Sequence, residues 1–288
     1  AGLGTVGSGV VKLLNRQASL VSLRSGRDIT VTAVSARDRS KQRGVNLDKI
    51  NWCDNPLELA KDENIDVVVE LIGGEDGIAK EVVETAIANG KHVVTANKAL
   101  IAHHGTELAH LAEAAQVALA FEAAVAGGVP IVKALREGLV GNKVSRIFGI
   151  LNGTCNYILS EMRQTRKEFG LVLKEAQEMG YAEANPAFDV DGVDTAHKLS
   201  ILTSLAFGCE VNFDAVHIEG ISQISPLDIE FADDLGYRIK LLGIACQTDT
   251  GVEQRVHPCM VPVDRPIAHI EDVFNAVVAE GDFVGTTM

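Results

Sequence analysis

The chain begins with Ala1-Gly2-Leu3-Gly4-Thr5-Val6-Gly7, and this glycine-rich stretch decides the fold. Glycines at this spacing suit a tight turn, a close approach of the backbone to a pyrophosphate and close packing of the following helix. Apolar residues on one helical face predict that helix, at Val10, Val11, Leu13 and Leu14. We expect a dinucleotide phosphate at Thr5 and Val6, because a helix N-terminus offers N–H donors and a positive dipole end. A turn with only a structural role is the alternative.

Strand and helix patterns alternate after this turn. They predict strands over 29–35, 67–72 and 92–96, with a helix over 78–88. Such βαβ alternation predicts a parallel sheet covered by helices on both faces. The pattern changes at 122–130, a stretch of small residues that we interpret as a linker.

Beyond the linker, helical patterns mingle with strand patterns. The predicted helices cover about 130–138, 154–164 and 169–179, and the predicted strands cover 144–151, 240–247 and 253–261. We therefore predict an α/β protein with a Rossmann-type dinucleotide-binding domain over 1–125 and an α+β catalytic and dimerisation domain over 126–288.

Only Ala1 precedes the first glycine, where such a fold uses a central strand of about five residues. We expect that segments at both ends are missing from this sequence.

Composition excludes several classes of function. A net charge of −13 with no basic block disfavours nucleic acid as a partner. Apolar runs such as 67–72 are far shorter than the ~20 residues that cross a bilayer, and no signal peptide opens the chain. The five cysteines form no C-x-x-C pair, which disfavours a zinc site or a disulfide framework. We expect a soluble cytoplasmic protein with reduced thiols.

The end of the second predicted strand bears on the choice of cofactor. An acidic residue there would bind a ribose 2′-hydroxyl and repel a 2′-phosphate. Here Arg37 is followed by Asp38, with Arg39 and Lys41 close behind. The basic residues favour NADP(H), with NAD(H) also accepted, whereas Asp38 would favour NAD(H). A solvated charged loop is the alternative interpretation.

Lys98 follows the predicted strand over 92–96. Ligands of open α/β sheets bind at the carboxyl ends of the strands, so we expect this lysine to face a binding cleft. Taken alone, a lysine at this position could equally be an ordinary surface residue.

A second group of charged residues lies over 180–198. The segment from Glu183 to Asp191 is rich in carboxylates and is predicted to be a loop. Asp194 and Lys198 follow at a spacing that places both on one helical face. A surface ion pair is the ordinary explanation, but the next turns are apolar, which favours a helix that is buried or lines a cleft: Leu199, Ile201, Leu202 and Leu205.

Three motifs together resemble homoserine dehydrogenase. They are Ala96-Asn-Lys-Ala-Leu100, Gly149-Ile-Leu-Asn-Gly-Thr-Cys-Asn156-Tyr-Ile-Leu and the segment 180–198. The resemblance implies a reversible NAD(P)-dependent oxidation of L-homoserine to L-aspartate 4-semialdehyde, in threonine, methionine and isoleucine biosynthesis. Another two-domain amino-acid or semialdehyde dehydrogenase is the alternative enzyme, and a non-catalytic nicotinamide-binding regulator is the alternative of a different class.

The resemblance also implies roles for particular residues. Lys98 and Lys198 would be catalytic, and Glu183 and Asp194 would bind the substrate. We favour Lys198 as the acid/base, because Asp194 can orient it from the same helix. The expected cofactor contacts are Gly2, Gly4, Thr5, Val6, Gly7, Arg37, Gly73, Lys98 and Gly180.

Two further expectations come from the same resemblance. A structural monovalent cation, usually Na⁺, would be held by the Glu122 side chain and by backbone carbonyls of Val125, Gly127 and Val129. A homodimer would form through the second domain, whose apolar segments 147–151 and 239–246 would supply strands to a sheet shared across a two-fold axis.

Replacing Arg37 with Ala tests the cofactor assignment. We expect the Kd for NADPH to rise by about tenfold, because a charge-assisted contact with the 2′-phosphate is lost. The Kd for NADH, measured by the same calorimetric titration, should stay unchanged and serves as the control. An equal loss of affinity for both cofactors would contradict the assignment.

Overall fold

The computed structural model describes all residues from 1 to 288. The chain divides into two compact units, Ala1–Ala124 and Val125–Met288. The boundary between the units falls within the segment over 122–130. The segment opens with a 3-10 turn at Glu122–Ala124, and Ala124, Val125 and Ala126 are buried.

The first unit consists of short parallel strands and helices. Its helices are α1 (Thr5–Arg16), α2 (Ala18–Ser25), α3 (Leu57–Lys61), α4 (Ile78–Ala88) and α5 (Lys98–Ala114). Its strands are β1 (Ala33–Val34), β2 (Asn51–Trp52), β3 (Val67–Glu70), β4 (His92–Thr95) and β5 (Leu119–Ala120). The pairs β1-β2, β3-β4 and β4-β5 are all parallel, as the βαβ pattern predicts.

The first two residues lie between the two parts of this sheet. The Gly2 N–H donates to the Ser35 carbonyl at 2.8 Å, and the Ala1 carbonyl accepts from the Leu71 N–H at 2.8 Å. The strand predicted over 29–35 was too long, since only Ala33–Val34 pairs, with β2. Alternating apolar residues do not form a strand where no partner strand runs beside them.

The glycines of the opening turn have different surroundings. A Cβ on Gly2, whose φ is +89°, would lie 2.4 Å from the Leu71 carbonyl oxygen, and a Cβ on Gly7 would lie 2.0 Å from that of Gly2. Both positions therefore require glycine for packing. A Cβ on Gly4 would meet nothing within 4 Å. The open side of the turn is at Gly4.

The second unit contains one mixed sheet with helices packed on it. Its helices are α6 (Ile131–Lys133), continued by a π-helical turn at Ala134–Gly138, α7 (Gly153–Thr165), α8 (Phe169–Glu178), α9 (Ala187–Val190), α10 (Val193–Phe207) and α11 (Pro226–Asp234). Its strands are β6 (Val144–Ile150), β7 (His217–Ile218), β8 (Tyr237–Thr248), β9 (Gly251–Pro262), β10 (Ala276–Gly281) and β11 (Gly285–Thr287). The sheet order is β11-β10-β6-β8-β9-β7.

The order of strands shows where the two segments expected in a shared sheet lie. The segments 147–151 and 239–246 lie in β6 and β8, which pair with each other and have a second neighbour on their other side. Their backbone hydrogen-bonding edges are occupied within the chain, so a sheet continued into a second chain would have to pair at an edge strand. Only β11 and β7 are edge strands.

Helix α10 is packed closely on the sheet at Gly243 in β8. A Cβ there would lie 3.3 Å from Thr195 Cγ2 and 3.4 Å from Leu199 Cδ1, so glycine allows the helix to approach. Most of α10 is buried in consequence. This packing holds the charged residues of α10 beside the carboxyl end of β6.

Other general expectations concern membranes and thiols. No helix is both long enough and apolar enough to cross a membrane. All five cysteines are free thiols, and Cys155 is buried.

Alanine substitutions at Gly7 and Gly4 separate the two roles of the turn. Gly7→Ala should lower the free energy of unfolding by about 2 kcal/mol or more, because the new Cβ overlaps a backbone carbonyl. Gly4→Ala, the matched control, should change it by less than about 0.5 kcal/mol. Urea titration followed by the fluorescence of Trp52, the single tryptophan, measures the first unit. Equal free energies of unfolding for the two variants would contradict this prediction.

Candidate active site

The carboxyl ends of β3 and β4 are organised by the buried carboxylate of Glu70. Its Oε1 accepts from the backbone N–H groups of Ile72 at 2.7 Å and Gly73 at 3.1 Å, and its Oε2 accepts from Thr95 Oγ1 at 2.5 Å. Glu70 is fully buried, and these bonds offset the cost of removing its charge from water. The loop after β3, which contains Gly73, is therefore attached to the end of β4.

Asn97 connects this loop to the helix that carries Lys98. Its side-chain oxygen accepts from the Leu100 N–H at 3.1 Å and so caps α5, while its Nδ2 donates to the Gly74 carbonyl at 2.7 Å. Lys98 is the first residue of α5 and is half-buried. Lys98 follows β4 as predicted, but β4 is only partly buried, since His92 and Val94 are exposed.

The opening turn fits a bound dinucleotide phosphate. Helix α1 begins at Thr5, no side chain caps its N-terminus, and Thr5 and Val6 are exposed. Gly4 has room beside it where any larger residue would place a Cβ. An uncapped helix N-terminus beside an open glycine is suited to an anion.

The charged loop after β1 is fixed mainly by Arg43. Its Nε donates to the Leu3 carbonyl at 3.1 Å and its Nη1 to the Lys41 carbonyl at 2.7 Å, and Nη2 donates to the Asp38 carbonyl. Hydrogen bonds from the Ser40 hydroxyl and N–H lower the pKa of the exposed Asp38. The Arg43 contact with Leu3 joins this loop to the glycine turn.

The basic residues of this loop are not equivalent. Arg37 is exposed at the end of β1. The guanidinium of Arg39 instead lies 5.7 Å from the centre of the Trp52 ring, a distance at which a cation and an aromatic face attract. Arg37 is thus the better placed of the two for a ligand phosphate.

In the second unit, Lys198 is held by two acceptors. Its Nζ donates to Asp194 Oδ2 at 2.6 Å and to the Leu151 carbonyl at 2.7 Å. The side chain of Lys198 is 14% exposed and that of Asp194 is 4% exposed. The predicted pair on one helical face is therefore a buried ion pair rather than a surface one, because α10 packs on the sheet.

Asn152 and Asp189 complete this cluster, and neither was among the predicted site residues. Asn152 Nδ2 donates to Asp189 Oδ1 at 2.9 Å and to Asp194 Oδ2 at 2.7 Å. Thr154 Oγ1 donates to Asp189 Oδ2 at 3.3 Å. Burial raises the pKa of Asp189, partly opposed by the hydrogen bonds from Asn152 and Thr154.

A local signal for Asn152 is present in the sequence. An asparagine between a strand pattern and a helix pattern is a typical N-cap, and Asn152 Oδ1 does accept from the Cys155 N–H at 2.8 Å. Its contacts with the two carboxylates have no such signal, since they join residues distant in sequence.

Glu183 lies apart from this hydrogen-bonded cluster. Its side chain is exposed, and its backbone carbonyl accepts from Gln177 Nε2 at 3.0 Å. The expected loop from Glu183 to Asp191 is partly helical, because Ala187–Val190 forms the short helix α9. That turn brings Asp189 toward Asn152.

Gly180 ends helix α8 with a backbone motif. Its φ is +78°, its N–H donates to the Gln177 carbonyl at 3.0 Å, and the Tyr181 N–H donates to the Ala176 carbonyl at 2.8 Å. This pair of bonds is a Schellman motif, in which glycine avoids the strain of a left-handed conformation. The geometry gives Gly180 a structural role in the turn that precedes Glu183.

The structure also bears on metal binding and on the reactivity of the Cys155 thiol. No group of three or more His, Cys, Asp or Glu side chains is arranged to hold a metal ion. The expected cation site relies instead on Glu122 and three backbone carbonyls. Burial raises the pKa of Cys155 well above its usual value, so this thiol is not activated as a nucleophile.

Comparison with known proteins identifies the family. The profile described as "Homoserine dehydrogenase" matches residues 130–288, and that of "Homoserine dehydrogenase, NAD binding domain" matches residues 2–122. The chain is 52% identical to a homoserine dehydrogenase of Pseudomonas aeruginosa and 50% identical to one of Neisseria gonorrhoeae, each over the whole of this chain. It spans 65% and 66% of those two proteins, respectively.

A solved structure agrees with these sequence similarities. The crystal structure of a homoserine dehydrogenase from Thiobacillus denitrificans matches with a TM-score of 0.96 and 51% identity, covering 99% of this chain and 66% of that one. The similarity includes both units, so it does not rest on the glycine turn alone. The chain belongs to the homoserine dehydrogenase family.

Proposed function

We propose that this protein catalyses the reversible NAD(P)-dependent oxidation of L-homoserine to L-aspartate 4-semialdehyde. The observation that carries the proposal is the buried pair of Lys198 and Asp194 at the carboxyl end of β6. Membership of the family supports the choice of substrate over that of another semialdehyde dehydrogenase. The expected cytoplasmic location stays a prediction.

Lys198 is suited to moving the proton of the substrate hydroxyl. A lysine nitrogen has four tetrahedral positions, one of them bonded to its own carbon, and two others are directed at Asp194 Oδ2 and the Leu151 carbonyl. The remaining position carries an N–H when the group is charged and a lone pair when it is neutral. The group can therefore take a proton from the alcohol and return it to the aldehyde oxygen.

The carboxylates beside Lys198 suit a cationic substrate. Asp189 and Asp194 with the ammonium of Lys198 leave one net negative charge when both acids are ionised. The α-ammonium group of homoserine would compensate this charge. We propose that Asp194 contributes to binding this group together with Glu183, and that Asp189 contributes as well.

The first unit would hold the nicotinamide cofactor. When bound, the cofactor accepts the hydride from the alcohol carbon or returns it to the aldehyde. We propose that Thr5 and Val6 bind its pyrophosphate with Gly2, Gly4 and Gly7 shaping the turn, and that Arg37 selects NADP(H). Gly73, Lys98 and Gly180 are proposed as further contacts, and Lys98 as the second catalytic lysine, which stabilises negative charge on the reacting oxygen.

The structural Na⁺ at Glu122, Val125, Gly127 and Val129 also stays a prediction. Its support is the family resemblance of the stretch. Carbonyl and carboxylate oxygens are ligands that hard cations prefer.

We also propose a homodimer through the face of the second unit's sheet that bears Phe148. An apolar cluster on that face includes Ile244 and Val278, and Phe148, Cys246 and Cys259 at its margin are only partly buried. The Arg146 guanidinium lies 4.5 Å from the centre of the Phe148 ring. A face-to-face contact needs no free strand edge, which fits the interior position of β6 and β8.

Turnover of the two lysine variants tests the proposed reaction. The wild-type protein should oxidise NADPH in the presence of aspartate semialdehyde, and Lys98→Ala and Lys198→Ala should each lower kcat by about 10²–10⁴-fold with saturating cofactor. Lys174→Ala, at a lysine whose side chain is 73% exposed, is the matched control and should keep full activity. Near wild-type turnover of either active-site variant would remove that lysine from the mechanism.

Light scattering after size exclusion tests the dimer. We expect the mass of two chains for the wild type and of one chain for Phe148→Glu, because a carboxylate in an apolar interface is costly. Leu235→Glu, at an exposed position just after α11, should leave the mass unchanged. A wild-type protein that is monomeric throughout would contradict the dimer.

A further inference from the structure

A single amide group donates hydrogen bonds to two carboxylates in the second unit. Both donor contacts come from Asn152 Nδ2, at 2.9 Å to Asp189 Oδ1 and 2.7 Å to Asp194 Oδ2. An amide nitrogen has two hydrogens, so each carboxylate receives one of them. The amide oxygen accepts from the Cys155 N–H at 2.8 Å, which fixes which way the amide faces.

We propose that Asn152 is a positioning residue, which keeps Asp189 and Asp194 both ionised and holds Asp194 against Lys198. The inference rests on the proposed function for its effect on catalysis, but the ionisation of the two acids is measurable without a substrate. Asn152 acts through its neighbours rather than on the reacting atoms.

Electrostatics explain why the two acids need this donor. Two carboxylates bonded to one nitrogen lie close enough to repel each other, and the repulsion favours protonation of one of them. Lys198 offsets only part of this repulsion, since of the two carboxylates it is hydrogen-bonded to that of Asp194 and not to that of Asp189. The amide of Asn152 is a neutral group that stabilises both negative charges at once.

The groups around Asp189 set the direction of the pH effect. It is faced by Asp194 and Lys198 of α10 and by Thr154 and Cys155 of α7, with Asp191 also near Cys155. Burial raises the pKa of Asp189, and the hydrogen bond from Asn152 lowers it. Without Asn152 the pKa of Asp189 rises further, so its negative charge is lost at a higher pH as the solution is acidified.

This loss has a chemical consequence in the proposed reaction. A protonated Asp189 or Asp194 no longer attracts the substrate's ammonium group. A protonated Asp194 also no longer orients the Lys198 ammonium by charge. The acid limb of the pH profile of kcat/KM for L-homoserine therefore depends on Asn152.

Two substitutions separate the hydrogen bonds that the Asn152 amide donates to the two carboxylates from its capping of α7. Asn152→Ser keeps an oxygen that caps α7 but is too short to reach both carboxylates. Asn152→Asp keeps the cap and the size but replaces the donor with a third carboxylate. Ser225→Ala is the matched control, because it removes the capping box of α11 and leaves the cluster intact.

The first measurement is the carboxyl titration of Asp189 in the substrate-free protein, followed by ¹³C NMR. The midpoint should rise by about one pH unit in Asn152→Ser, the size expected for the loss of one hydrogen bond to a charged group. It should rise at least as far in Asn152→Asp and stay unchanged in Ser225→Ala. An unchanged midpoint in both Asn152 variants would overturn the inference.

The second measurement is the pH profile of kcat/KM with L-homoserine and NADP⁺. In each Asn152 variant the acid limb should move to higher pH by the amount found in that variant's carboxyl titration, with kcat lower by about tenfold or more. A lower melting temperature with an unmoved acid limb would assign Asn152 a merely structural role and overturn the inference. A wild-type protein that lacks turnover but shows the shifted carboxyl titration in the variants would refute the proposed function and support the effect on ionisation.

Discussion

The arrangement of the second unit depends on one buried oxygen, Oδ2 of Asp194. It accepts from Lys198 on its own helix and from Asn152 at the start of another. A buried carboxylate without partners is very costly, so these donors must be present for α10 to pack against the sheet. The same bonds join the carboxyl end of β6 to α7 and α10, and therefore place a charged lysine where a strand ends.

The first unit also contains a buried carboxylate that needs hydrogen-bond donors, that of Glu70. This buried carboxylate accepts from two backbone N–H groups and from Thr95, and so joins the ends of β3 and β4. Asn97 then connects the loop after β3 to α5, whose first residue is Lys98. In each unit, a buried acid and an asparagine helix cap order the backbone next to a lysine. The two asparagines differ in what their side-chain amide nitrogen contacts. That of Asn97 donates to a backbone carbonyl, and that of Asn152 donates to two carboxylates.

Local patterns predicted the features that depend on local geometry. The spacing of Asp194 and Lys198 predicted a pair on one helical face, because helix geometry alone brings those positions together. The glycine spacing predicted a turn followed by a helix, and both are present. The strand over 29–35 was predicted too long, since pairing with β2 rather than the apolar pattern sets its length. Asn152 was missed as a site residue because its contact with Asp194 joins positions 42 apart in the sequence.

The sequence by itself determined the parallel first unit, the helix of Asp194 and Lys198, the position of Lys98 after a strand and the family resemblance. These properties follow from periodicity, from glycine sterics and from motifs that are contiguous in the chain. Only the tertiary structure decided that the Asp194–Lys198 pair is buried, that Asn152 joins it to Asp189 and that β6 and β8 are interior strands. The physical reason is that burial, desolvation and strand pairing depend on neighbours supplied by distant segments, which a local pattern does not specify.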